Sequence, residues 1–459
     1  MRKYSPLANS SPHLRGLHFT RARRWASWLA TVAGGLFVSA CSSDHPEPHQ
    51  PSGGTLPSGG TWASAGSGAT SSGTSATGGT ASGGTGQTGG TGDTGGTSAA
   101  ASGGVGGTGR GGSSTGGANG GSANGGSANG GNANGGSVDQ CKAVGWATRS
   151  GRTGGALSVT GGGDAAPTVV NNFADLAKYA SDATARVIHI DGALGGGWSG
   201  TSGDRLEIKS NKTIVGLRRA TQLKAAIHIN NASNVILRNI VIHGPGSNED
   251  QAWDNINIEG SSKNIWIDHA EFWDGQDGNA DVVKGADNVT FTWSIFGYSK
   301  QGSHNLSNLI ASSDSEPVSE GKLNITFMFN WWKAVAQRQP RCRYGQIHVA
   351  NNLYTGDDSV GASVLGVSNG YSCNVLTENN HFIKQGEPID LGKEAGTGSV
   401  QEAVGNLFES CSGNQKGSGK AFTPPYEYKS FMVAAADVKA LVQQHAGATL
   451  TSPTACSTP

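Results

Sequence analysis

The chain repeats a run of alternating apolar and polar positions that often closes on Asn and an aromatic. Copies are "NVILRNIVI" from Asn234, "NIWIDHAEF" from Asn264, "NVTFTWSIF" from Asn288 and "NITFMFNWW" from Asn324. "QIHVANNLY" from Gln346, "NVLTENNHF" from Asn374 and a weaker "VQEAVGNLF" from Val400 continue the series. Period-two alternation predicts a short strand, each time followed by a turn. The copies start 22 to 36 residues apart with no helical pattern between them, which argues against βαβ units. That spacing predicts an all-β solenoid, a parallel β-helix with one coil per repeat. The recurrent Asn predicts a hydrogen-bonded ladder between coils. A β-sandwich would need hairpin turns and closer, more even strands.

The open ends of a solenoid need covering. "NNFADLAKYASD" from Asn171 places Phe173, Leu176, Ala177 and Ala180 at helical spacing, after Asn residues able to cap. "DVKALVQQHAG" from Asp437 places Val438, Leu441 and Val442 likewise. Both are expected to be short capping helices, one at each end.

Upstream the pattern changes. Residues 1–40 carry a basic stretch ending in "RARR", then the short apolar run "WASWLATVAGGLFVSA". This is a secretory signal, too short to be a good membrane span. "VSAC" resembles a lipobox, so Cys41 is the expected lipidation site and the protein is expected outside the cell or on its surface. Residues 41–137 are almost all Gly, Ser, Thr, Ala and late Asn. Nothing there can bury enough apolar surface to offset ordering, so it reads as a flexible linker. The globular domain then spans 138–459.

Lys and Arg number 33, as do Asp and Glu, so the formal net charge is zero and nothing points to nucleic acid. A monomer is expected. Export permits disulfides. Beyond Cys41 there are Cys141, Cys342, Cys373, Cys411 and Cys456, an odd number, so at least one thiol is unpaired. Cys342 is a candidate for it.

Against this sparse charge, "VAQRQPRCRYGQIHV" crowds Arg338, Arg341 and Arg343 around Pro340. Measured against the repeat, Arg338 shares a similar phase with Asp254, Asp277 and Asp281, so all four should project near one side of the solenoid. Converging carboxylates repel unless neutralised, and a hard divalent cation such as calcium does that. Guanidinium grips carboxylates in bidentate fashion. Calcium and arginines on one elongated face suggest a polyanionic polymer such as a polyuronate. Taken alone, Asp277 and Asp281 also read as solvated loop acids.

Together "NIWIDHAEF", "DGNADVVKGADNVTFTW", "NITFMFNWW" and "QRQPRCRYGQIHVANNLY" resemble the pectate lyases of polysaccharide lyase family one. The most specific piece is R-x-P-x-x-R, here Arg338, Pro340 and Arg343. The resemblance implies a right-handed, single-stranded parallel β-helix that cleaves polygalacturonate by calcium-dependent β-elimination. It implies Asp254, Asp277 and Asp281 as calcium ligands, Arg338 as the base at C5 and Arg343 as a carboxylate clamp. An arginine base runs against the ordinary guanidinium pKa. Either calcium, desolvation and neighbouring cations favour neutral guanidine, or Arg338 stabilises charge while water or hydroxide takes the proton.

Two positions depart from the family pattern. The family's substrate-binding Lys falls on Leu306 here, and Lys300 and His304 are the nearest replacements. An Asp that some members place two residues before the Asp254 position is Ala252. Asp268, His269 and His348 read as structural strand residues. Trp331 and Trp332 are candidates for sugar stacking or core packing. The rival functions are a lyase for methylated pectin and a non-catalytic polysaccharide-binding β-helix.

Overall fold

Parallel pairing alone joins the named strands, in three sheets that run the length of the solenoid. The computed structural model describes residues 142–196, 205–247, 253–392 and 398–454. The expected signal, linker and Cys41 lipidation site lie outside the described residues, as do Cys141 and Cys456.

The long sheet has ten strands, from Thr168–Val170 to Val400–Val404. A second sheet has eight, from Gln222–Leu223 to Leu407–Glu409, and a third has eight, from Arg205–Glu207 to Glu387–Asp390. From Lys212 to Asp390 each coil visits them in the order long, second, third.

Each sequence repeat therefore holds two strands where the alternation predicts one. In "NIWIDHAEF" the strand Lys263–Asp268 belongs to the long sheet and Glu271–Trp273 to the second. The corner between them is a residue in the left-handed region: Asn239, His269, Trp293, Phe329, Asn351 and Asn379 all have φ between 49° and 59°. Asn tolerates that conformation best. The bulky corners are held by stacking, Trp293 lying 4.3 Å from Phe329 and 6.1 Å from His269 between ring centroids.

The expected ladder forms beside these corners. Asn330 N–H donates to Asn352 Oδ1, Asn352 N–H to Asn380 Oδ1 and Asn380 N–H to Asn406 Oδ1, at 2.8–2.9 Å. Each side-chain amide also donates to a strand carbonyl, so buried polar groups at the corner are paired.

Inside, equivalent residues stack coil upon coil. Val235, Ile265, Val289, Ile325, Ile347 and Val375 are in register along the long sheet. Facing them, Phe272, Phe296, Trp332, Tyr354, Phe382 and Phe408 form one stack with centroid spacings of 4.2–5.5 Å. Each such burial contributes roughly 1.5–3 kcal/mol. Trp332 is thus a core residue, and Trp331 donates its indole N–H to Thr355.

Helix α1, Phe173–Ser181, is capped by Asn172, whose side chain accepts from Asp175 N–H, and it buries Leu176 and Ala180 over the first coils. Helix α2, Ala435–His445, forms where the spacing predicts it. It packs along the flank, burying Val438 and Val442 with Trp293, Phe329 and Leu353. The last coil is covered by extended chain instead: Ser418 and Gly419 N–H donate to Gln401 O. Cys342 does not stay unpaired. It is bonded to Cys373, because the two face each other from neighbouring coils with Cα atoms 6.0 Å apart, while Cys411 is a free thiol.

Asp268 and His348 belong to buried networks. Asp268 accepts from Arg238 Nε at 2.8 Å and from Thr292 Oγ1 at 2.7 Å, with His269 Nδ1 at 2.7 Å. Burial pushes its carboxyl up, yet His269, Arg238 and Thr292 outweigh that and leave it below the usual range. His348 is fully buried between Glu378 and Tyr426.

Candidate active site

The third sheet carries the acids and arginines. Its strands Ile256–Glu259, Ala280–Val282, Leu309–Ile310 and Arg341–Cys342 are consecutive neighbours. Alternation points Ile258, Val282, Ile310 and Cys342 inward, which turns Asn257, Asp281, Leu309 and Arg341 to the outer face. Asp281 pairs with Asn257, and Leu309 with Arg341. Asp254 and Asp277 sit on the turns entering this sheet, and Arg338 on the turn entering two strands beyond Asp281.

Asp254 is buried, with Oδ2 3.4 Å from Asn257 Nδ2 and Oδ1 without a hydrogen-bond partner. Burial pushes its carboxyl well above the usual range, and the charges of Asp281 and Asp277 add to this. Asp281 Oδ1 accepts from Leu309 N–H at 2.9 Å. Burial pushes Asp281 up to about 7, with Arg338, that backbone bond and His304 opposing and Asp277 reinforcing. Gly278 lets these acids close in: a Cβ there would meet Asp254 Oδ1 at 2.6 Å and Asp281 Oδ1 at 3.5 Å.

Asp277 is the open member of the trio, its side chain 43% exposed. His304 Nε2 lies 3.1 Å from Asp277 Oδ1, near enough for charge attraction but not aligned as a hydrogen bond. Lys300 is exposed on the same loop, its carbonyl accepting from Asn305 Nδ2. Leu306 is bridged to Gln337, next to Arg338.

Arg338 is held in a left-handed backbone conformation, φ 60°. Its carbonyl accepts from Asn308 N–H at 2.7 Å, and Gln339 anchors the turn through Val335 O, Leu365 O and Gln385 Oε1. Such conformations persist where surrounding bonds over-determine them. Arg343 has a different setting. Its Nε donates to Asp314 Oδ1 at 2.5 Å and its Nη1 to Ala311 O at 3.1 Å.

Three members of this site gave no warning in sequence. Asn257 reaches Asp254, and only the in-out alternation of "INIE" would have turned it outward. Tyr298 lies beneath the acids, its hydroxyl donating to Leu306 O at 2.6 Å and lying 3.3 Å from Gly275 O. Burial, reinforced by Asp254, Asp274 and Asp281, pushes that hydroxyl's pKa well up, so it stays a neutral donor joining two site loops. Asn308 bridges coils, donating to Ala280 O and accepting from Trp332 Nε1.

A hard cation fits this donor set. A buried carboxylate oxygen lacks a partner, and burial, reinforced by the neighbouring carboxylates, drives Asp254 and Asp281 towards protonation. The fit is one of chemistry more than of a finished cage: among the described residues no three His, Cys, Asp or Glu groups already converge as metal ligands. Asp254, Asp277 and Asp281 are the residues that would hold the ion.

Known proteins share this architecture. The family model described as pectate lyase matches residues 133–450. Pectate lyase E of Dickeya chrysanthemi is 32% identical over 306 residues, 58% of this chain and 76% of that protein. The pectate trisaccharide-lyase of Bacillus licheniformis is 31% identical over 316 residues, 66% of this chain and 84% of that one. The solved structure of a pectate lyase bound to hexasaccharide superposes with a TM-score of 0.51 at 22% identity, covering 69% of this chain and 99% of that chain, a likeness of fold. Fold and relatives together define the class: this chain is a polysaccharide lyase. More narrowly, it belongs to the pectate lyase family.

Proposed function

We propose that the chain is a calcium-dependent pectate lyase that cleaves polygalacturonate by β-elimination, giving 4,5-unsaturated oligogalacturonates. The observation that carries this reading is that two buried acids, Asp254 and Asp281, close in on Gly278 with one oxygen of Asp254 unpartnered, Asp277 open beside them and Arg338 on a turn entering the same sheet. Asp254, Asp277 and Asp281 hold the ion. Bound calcium would supply positive charge that acidifies C5 of a uronate and stabilises enolate-like charge. Arg338 takes the C5 proton as neutral guanidine, the form that bound calcium, desolvation and neighbouring cations would favour. The C–H electron pair becomes the C4–C5 double bond, and the C4–O4 bond breaks with its electrons going to the leaving oxygen. Arg343 grips a substrate carboxylate, with Lys300 and His304 as further contacts in place of the lysine absent at Leu306.

A lyase for methylated pectin has less use for the acid cluster, because esterification removes the substrate charge that a cation held there would neutralise. Neither Arg338 nor the acids are lost, which weighs against a purely binding β-helix. The signal and "VSAC" support export and a surface lipoprotein anchored through Cys41, and the domain works as a monomer. Labelled fatty acid should be incorporated into the wild-type chain and not into Cys41→Ala.

The decisive assay incubates the protein with polygalacturonate, with calcium or with chelator, and follows ultraviolet absorbance of unsaturated product. Calcium-dependent product that is absent in Arg338→Ala is expected. Equal activity in chelator would overturn the calcium role. Binding without unsaturated product would favour a non-catalytic role.

A further inference from the structure

Arg343 is not poised as a loose cation. Its side chain is 12% exposed, and two of its five N–H donors are already committed to Asp314 and Ala311. Of the three that remain, one Nη2 N–H lies beside Nε, and the others are on Nη2 and Nη1 at the terminal edge of the guanidinium. The committed Nε therefore sets the plane in which that edge is offered.

Asp314 is itself held by a built loop. Glu316 is buried and forms its hub: Oε2 accepts from Ser312 N–H at 2.8 Å, and Oε1 from Lys284 N–H at 2.7 Å and from the Ser319 hydroxyl. The Tyr344 hydroxyl, next to Arg343, donates to Asp314 O and accepts from Glu316 N–H at 3.3 Å. The loop is thus tied to the coil before it through Lys284 and to the coil after it through Tyr344. Asp314 has little freedom to leave Arg343.

An ion pair with one partner 40% exposed adds little to stability. What it does supply is order. A free arginine loses rotamer freedom when it grips a carboxylate, and a pre-set guanidinium loses less. We propose that Asp314 is a positioning residue for substrate carboxylate capture: it fixes Arg343 through Nε and leaves the terminal edge for a uronate. This inference rests on the reading of Arg343 as the carboxylate clamp.

The test measures KM and kcat on polygalacturonate for Asp314→Ala, Asp314→Asn, Arg343→Ala and Asp314→Ala/Arg343→Ala, with thermal melting of each. Asp314→Ala should raise KM between about two- and tenfold, the weight of one unordered side chain, with a smaller change in kcat. Asp314→Asn keeps an acceptor for Nε and should recover most of the loss. The double variant should be no worse than Arg343→Ala, because the two residues act as one unit. Should KM fall in both Asp314 variants, the carboxylate merely offsets charge and the proposal is overturned. Equal losses in both, tracking a lowered Tm, would make Asp314 a loop strut and also overturn it. If Arg343→Ala leaves KM unchanged, the clamp reading fails first. If Arg343→Ala raises KM and Asp314→Ala does not, only the positioning role fails.

Discussion

Leu309 N–H donates to Asp281 Oδ1 across 2.9 Å, so a backbone group of one coil grips an acid of the coil before. Asp254, by contrast, keeps a buried oxygen without any donor. The two acids are therefore unequal. Asp254→Asn should raise the Tm of the metal-free protein by a few degrees, because an uncompensated buried carboxyl is removed. The same variant should lose about a hundredfold or more in calcium affinity and activity. Calorimetric melting with and without calcium checks both.

The sign of the pH dependence follows from the same cluster. Asp281 titrates at about 7 in the fold against 3.8 for the ordinary carboxyl, so the folded state binds more protons between these values. Stability of the metal-free protein should therefore fall as pH rises from about 4 to about 7, by on the order of a few kcal/mol. Calcium, competing with those protons, should raise Tm more at alkaline pH than at mildly acidic pH. Melting curves in chelator and in calcium across that window measure it. A flat metal-free profile would contradict the burial of these acids.

Arg338 sits on a turn fixed by Asn308 and Gln339, so its side chain can be changed with little disturbance of the backbone. Arg338→Ala should lower kcat by about 10²–10⁴-fold with KM nearly unchanged, the usual span for a lost proton-transfer group. Arg338→Lys should not restore the rate, since a compact ammonium on a flexible stem does not reproduce a planar fork. Steady-state kinetics on polygalacturonate decide.

The asparagine ladder predicts a stability effect without a catalytic one. Asn352→Ala would strip the acceptor from Asn330 N–H and the donor from Phe327 O, both buried. The expected loss is about 1–3 kcal/mol in urea unfolding, with kcat retained in the fraction that stays folded.

Much of this molecule was legible because a solenoid writes its period into the chain. The long-sheet strands follow from alternation, and the shared phase of Asp254, Asp277, Asp281 and Arg338 survives as positions on, or just before, strands of one sheet. The corners were illegible because His269, Trp293 and Phe329 turn left-handed through tertiary stacking, where local preference would have asked for Asn or Gly. Strands as short as Leu309–Ile310 and Arg341–Cys342 leave no periodic signal at all, so the sheet that carries the site was the least visible. The pairing of Arg343 with Asp314 spans 29 residues and depends on how one long loop folds back.

That loop lies in the longest interval between repeats, from Asn288 to Asn324, whereas the interval from Asn324 to Gln346 is the shortest. Ser294, Asn330 and Asn352 nevertheless meet in an unbroken line. The ladder works as a reset, returning the chain to a common starting point however long the preceding excursion was. Lengthening the segment around 299–305 should therefore change the contacts that Lys300 and His304 offer without shifting the strands that position Asp254, Asp281 and Arg338, and new substrate contacts can be acquired there without redesigning the fold.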